Sequence, residues 1–175
     1  MDFYDFLKPL AFRFDAETVH GIGHRTLGTV QSTPIERIVA DACTVVDARL
    51  RTDAFGRTFR NPVGVAAGFD KNAEIPNALA ALGFGHVEVG GVTAEPQAGN
   101  PKPRLFRLPE DGAIVNRMGF NNDGADVVGR RLDELDARVP IGVNIGKSKS
   151  APNDEAESDY LYTFERVREG GDYFV

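Results

Sequence analysis

The chain has 175 residues, 42% hydrophobic and 26% charged, the size and composition of one soluble globular domain with a sizeable core. Its net charge of -6 comes without any basic block or stripe, which argues against nucleic-acid binding, and an excess of Arg over Lys of 15 to 5 is compatible with a salt-adapted or high-GC source. The lone Cys43 excludes an internal disulfide and makes a reducing cytoplasm the default, no apolar run approaches the roughly 20 residues that span a bilayer, and the early Asp2 and Asp5 speak against a signal peptide.

Residues 1 to about 45 read as helical. Phe3, Phe6, Leu7, Leu10 and Phe14 recur at helical spacing and form an aromatic-rich stripe, which Pro9 interrupts. A proline inside a helix costs about 3 kcal/mol, so a helix is expected to end before Lys8 or to begin at Pro9. Asp15 is placed as an N-cap, with Val19, Ile22 and Val30 on one face of the helix that follows. Thr33-Pro34-Ile35-Glu36 is a stronger start signal, a capping residue with proline at the first helical position and a capping-box glutamate.

From about residue 48 the pattern changes. Arg49 to Thr52 and Arg57 to Arg60 flank Asp53-Ala54-Phe55-Gly56 and predict a hairpin. Strands are then predicted at Val63–Ala66, Val87–Val89, Ile141–Ile145 and from Tyr173. Helices are predicted at Ile75–Leu82, Asp123–Arg138 and Glu155–Glu169. Apolar strands alternating with helices mean a parallel α/β architecture. The pattern by itself leaves a barrel and a doubly wound sheet open, and about four strands are too few to close an eight-stranded barrel.

Three Gly- and Asn-rich segments follow predicted strands, where parallel barrels build their sites. In Val65-Ala66-Ala67-Gly68-Phe69-Asp70-Lys71, small residues admit a flat ligand and Lys71 suits an anionic group; a plain turn with a solvated lysine fits as well. In Asn116-Arg117-Met118-Gly119-Phe120-Asn121-Asn122, the amides suit the edge of a pyrimidine, but turn and cap chemistry is the more economical reading of spacing alone. Asn144, near the end of its strand, is equally a ligand contact or a satisfied buried amide, and Gly90-Gly91 equally a cofactor approach or a turn. His20, His24 and His86 lack metal-ligand company in the sequence, so no metal site is expected, and Cys43 reads as a packing residue.

Taken in order, Phe59 to Lys71, Gly83-Phe84-Gly85, Glu95 to Leu108, Asn116 to Asn122 and Asn144-Ile145-Gly146-Lys147 resemble dihydroorotate dehydrogenase over nearly the whole chain. The helical residues 1 to 45 resemble the N-terminal extension of its membrane-associated, quinone-using class, in which two helices form an apolar tunnel to the flavin. The resemblance implies the N-terminal half of a TIM barrel from residue 46 to 175, holding FMN. It also implies oxidation of dihydroorotate to orotate in pyrimidine biosynthesis, with quinone as final electron acceptor, at the cytoplasmic side of the cell membrane. Ala67, Gly68, Lys71, Gly91 and Asn144 would contact FMN. Lys71 would also meet the substrate carboxylate, Asn116 would hydrogen-bond the pyrimidine, and Arg117, Met118, Gly119 and Phe120 would shape its pocket. His20 and Arg107 match positions near the quinone tunnel. Gly91 departs from the family, which usually has Thr or Ser there, so a hydroxyl contact to the flavin is lost. The family's catalytic Ser is expected beyond Val175, with no substitute base in this chain. The competing reading is a non-catalytic remnant that at most binds a partner or a membrane surface.

Overall fold

The computed structural model describes residues 3–175, with side chains from Phe6 onward; Asp2 and the side chains of Phe3 and Asp5 lie outside the described residues. Helix α1 (Phe3–Ala11) runs through Pro9 instead of breaking there. The proline sits close to the C-terminal end, where it removes one ladder bond, and the Phe12 N–H still reaches the Lys8 carbonyl at 2.9 Å. Helix α2 (Ala16–Val30) starts as expected, with the Asp15 carboxylate accepting from the Thr18 N–H at 2.9 Å. Its inward face differs from the predicted one: Ile22 is half exposed, whereas Ala16 is buried and Leu27 packs against the core.

Helix α3 (Pro34–Cys43) starts without the capping box its sequence suggests. The Thr33 hydroxyl donates back to the Val30 carbonyl at 2.6 Å, so it does not cap, while Glu36 accepts from the Ser32 N–H. Glu36 is fully buried and pairs with Arg138, which fastens α3 to the segment before β7. Cys43, at the end of α3, is exposed and is not a packing residue. The hairpin of β1 (Thr52–Ala54) and β2 (Arg57–Phe59) turns on Phe55 and Gly56 alone, with φ of 52° and 71°. Two left-handed residues make a tight turn whose twist matches the strands, so the loop is shorter than the four residues predicted, and Arg49 and Leu50 lie in a 3-10 turn outside it.

The centre of the molecule is a four-stranded parallel sheet. After β3 (Gly64–Val65) comes α4 (Pro76–Ala81), then β4 (His86–Val92). An antiparallel hairpin, β5 (Leu105–Leu108) with β6 (Ala113–Asn116), projects from the next loop and is absent from the sequence reading. Helix α5 (Ala125–Asp133), β7 (Ile141–Ile145), α6 (Ala156–Val167) and β8 (Tyr173–Phe174) follow. Helix α5 stops five residues short of Arg138. The Asn77 amide donates to the Asp136 carbonyl and accepts the Arg138 N–H, which holds the chain out of the helix.

The strand order is β3-β4-β7-β8, the order of the chain, so the sheet has no reversal of the doubly wound kind. Val87, Val89, Val92, Ile141 and Val143 are fully buried and form one core with Leu79 from α4, Val128 and Leu132 from α5, and Val167 from α6. Valine-rich strands buried on both faces are what parallel sheets require. The sheet does not close: β3 and β8 are its two edges. At the N-terminal end of the strands the hairpin turn stacks on it, with Phe55 and Tyr173 5.4 Å apart.

Candidate active site

The loops after the strands meet above the C-terminal end of the sheet around a cavity of about 330 Å³. Ala67, Gly68 and Lys71 reach it from the loop after β3, Gly91 from β4, Asn144 from β7, and Asn116 to Phe120 from the segment after β6. All ten residues that the resemblance assigns to cofactor and substrate therefore line one space.

Lys71 is half-buried, and its ammonium donates to the Gly68 carbonyl. Burial holds its pKa below the ordinary lysine value; the Arg104 charge pushes the same way, and Glu17 and Asp70 oppose both. A lysine in this state gains from an anion brought next to it. The Asn116 side-chain carbonyl accepts the Met118 N–H at 2.9 Å, a turn bond, while its amide donors have no protein partner among the described residues. The turn bond thus leaves those donors available. Asn122 is different: its amide bonds Thr93, Gly124 and Phe120, which spends the side chain on holding two loops together.

Gly119 has φ of 78°, and a side chain there would press on Asn100, so the bend that sets Met118 and Phe120 beside the cavity depends on glycine. Arg117 contributes backbone more than charge, because its guanidinium turns to the Pro103 carbonyl at 3.1 Å. At Gly91 the place of a Cβ is flanked by the Phe120 ring and the Asn144 amide, at 2.9 and 3.1 Å. A side chain at this position would therefore have to displace the Phe120 ring.

A second cavity, of about 420 Å³, shares the Lys71 and Met118 wall and opens beneath α2. His20 faces it, edge-on to Phe69 at 5.0 Å. Burial, then the charges of Lys71 and His24, keep the His20 pKa low. Arg107 does not line this cavity. It donates to the Phe14 carbonyl at 2.8 Å and lies over the Phe12 ring at 4.7 Å, tying the β5–β6 hairpin to the α1–α2 turn. His20 and Arg107 are therefore not brought together.

Sequence reasoning missed most of this second wall. His24 has the company that its sequence neighbours do not show: Nε2 lies 3.6 Å from the buried Asp70 and Nδ1 3.7 Å from Glu74. The Asp70 carboxylate facing Nε2, first of all, raises the His24 pKa against the opposing effect of burial. Glu17 pairs with Arg104 at 2.8 Å and Lys102 at 3.0 Å, and Arg104 first, with Lys102 adding, holds its carboxyl below the usual range against burial. The signal was present in Glu17, His20 and His24, which share one helical face at spacings of three and four.

A family model described as dihydroorotate dehydrogenase matches residues 49–175. The chain belongs to the dihydroorotate dehydrogenase family. It is 75% identical over 175 residues to a dihydroorotate dehydrogenase (quinone) of Natronomonas pharaonis, covering 100% of this chain and 50% of the relative. It is 59% identical over 172 residues to the dihydroorotate dehydrogenase (quinone) of Haloarcula marismortui, covering 98% of this chain and 49% of that one. Among solved structures, the dihydroorotate dehydrogenase of Eimeria tenella in complex with ferulenol superposes with a TM-score of 0.71 at 41% identity, over 91% of this chain and 43% of the other. The chain spans about half the length of the curated relatives it matches.

Proposed function

We propose that this chain supplies one half of the FMN and dihydroorotate site of a quinone-dependent dihydroorotate dehydrogenase. The observation that carries the reading is the gathering of Lys71, Asn116 and Asn144 around one cavity with the bare backbone of Ala67, Gly68 and Gly91. These residues fit FMN: small residues let a flat ring approach, Asn144 offers an amide to its edge, and Lys71 offers a cation to balance negative charge on it. Bound there, FMN would supply the hydride-accepting ring. Lys71 would also attract the carboxylate of dihydroorotate, and Asn116 would use its free amide donors on the pyrimidine edge.

The four parallel strands in chain order, each joined to the next by a helix, would be half of a (β/α)8 barrel that the other half of a full-length relative closes. The helical block of residues 1–45 would serve as a separate unit on the path of the quinone, at the cytoplasmic face of the membrane. Phe6, Leu10 and Phe14 expose their apolar side chains, as an interfacial helix would. No helix among the described residues is long and apolar enough to cross a membrane.

The test is made in an assembled enzyme, in which this chain is joined to the half of the Natronomonas pharaonis relative that it does not cover. Lys71→Ala and Asn116→Ala should each slow reduction of the bound flavin by dihydroorotate at least tenfold, the kinetic equivalent of about 1.4 kcal/mol, with a small change in melting temperature. Near-normal reduction in both variants would refute the site assignment.

A further inference from the structure

The cavity beneath α2 holds an arrangement that substrate binding at the sheet does not use. His24 projects from α2 between two carboxylates carried by the loop after β3, with Asp70 on one side and Glu74 on the other. Asp70 is fully buried and rigid, because its two oxygens accept the backbone N–H groups of Glu74 and Ile75 at 2.9 and 2.8 Å. Glu74 is 43% exposed and also approaches Arg131 of α5 at 3.8 Å. Both ring nitrogens of His24 thus face negative charge. That environment stabilises a doubly protonated ring. The two separations exceed the 2.7–3.2 Å of an ordinary N–H···O bond, so the charge is held without the protons being locked in place.

The second histidine completes the arrangement. His20, one turn earlier on α2, has its ring centroid 6.1 Å from that of His24 and borders the same cavity. The charged groups around the pair are Glu17 and Arg25 on α2, Asp70, Lys71 and Glu74 on the loop after β3, and Lys102 on the segment before β5. Lys71 also borders the sheet cavity, so the two spaces meet at its side chain.

We propose that His24, held between Asp70 and Glu74, is the proton donor to the electron acceptor that enters the cavity beneath α2. This rests on the proposed function, which makes a quinone the acceptor. A quinone becomes a quinol by taking up two electrons and two protons. Oxidation of dihydroorotate delivers both electrons and one proton as a hydride equivalent. The second proton comes from His24: an imidazolium N–H bond breaks, an O–H bond forms on the acceptor, and a neutral His24 remains. Glu74, reaching solvent, passes in the proton that recharges the ring, and His20, favoured in its neutral form, can relay it across the cavity.

The experiment separates the two halves of turnover in the assembled enzyme. Anaerobic reduction of the flavin by dihydroorotate, at the other cavity, reports on folding and on the proposed function. Reoxidation of the reduced enzyme by a short-chain ubiquinone analogue is then followed from pH 5.5 to 9. For the parent enzyme, reoxidation should slow as pH rises through the raised His24 value. In His24→Gln it should be at least tenfold slower at pH 6.5 and flat with pH, flavin reduction being retained. Glu74→Gln should move the pH limb to lower pH by weakening the hold on the charged ring. Unchanged reoxidation and an unchanged pH limb in both variants would overturn the proposal. Loss of flavin reduction in the parent would instead count against the proposed function.

Discussion

At the scale of single residues, the two histidines of α2 pull in opposite directions. The His24 pKa is raised, so its contribution to stability is complete below the ordinary value of about 6.5 and is lost as pH rises through its folded value. The His20 pKa is lowered, so its contribution is complete above about 6.5 and is lost as pH falls through its folded value. Attachment of α2 should therefore be firmest near pH 6.5. Melting curves across pH 5–8 check this: His24→Gln should flatten the alkaline decline and His20→Gln the acid one, and a parent profile without either limb would contradict both assignments. The residues around the sheet cavity were legible because each sits in a motif with fixed order. Glu17, His24, Asp70 and Glu74 were not, because their partners lie far along the chain and only the packing of α2 on the loop after β3 brings them together. Asn122 shows the limit from the other side: its motif is the same as that of Asn116, yet its hydrogen bonds spend it on structure.

At the scale of elements, the two central strands, β4 and β7, could be read directly, since short valine-rich runs closed by glycine have few other fates. Helix ends were less legible. The end of α5 is set by Asn77, 59 residues away from the carbonyl it binds, and the path of α1 through Pro9 is set by how little ladder remains beyond it. The β5–β6 hairpin was missed although Asp111-Gly112, a common turn pair, lies between its strands, because Leu105 to Leu108 and Ala113 to Asn116 are too short to show alternation. This hairpin matters for the helical block. Arg107 holds the α1–α2 turn, and Arg104, the residue before β5, holds Glu17 of α2 while also donating to the Ala98 and Asn100 carbonyls. The block is thus fastened by side chains and polar contacts and adds few residues to the core. Deleting residues 1–40 from the assembled enzyme should therefore leave flavin reduction by dihydroorotate largely intact and lower quinone turnover by an order of magnitude or more. Comparison of the two rates in stopped-flow traces checks this, and quinone turnover that survived the deletion unchanged would remove the helices from the acceptor path.

At the scale of the whole molecule, strand order bears on what periodicity had left open. Alternating strands and helices fit a doubly wound sheet as well as a barrel, and a barrel requires that neighbours in the sheet be neighbours in the chain. Here they are, from β3 through β8, and the sheet ends in two open edges. Open edges with apolar faces recruit other chains, so this half-sheet should be a poor monomer until a complementary half covers it. The most direct measurement of the central claim, that these 175 residues form half of a flavin and dihydroorotate site, compares the chain alone with the chain joined to the other half of its Natronomonas pharaonis relative. Bound FMN, solution mass and anaerobic flavin reduction by dihydroorotate are measured on both. The expected result is a joined protein that carries flavin and is reduced by dihydroorotate, beside a lone chain that associates, holds FMN weakly and is not reduced. A joined protein that folds and binds FMN but is not reduced by dihydroorotate, or a monomeric lone chain that carries stoichiometric FMN and turns over, would contradict it.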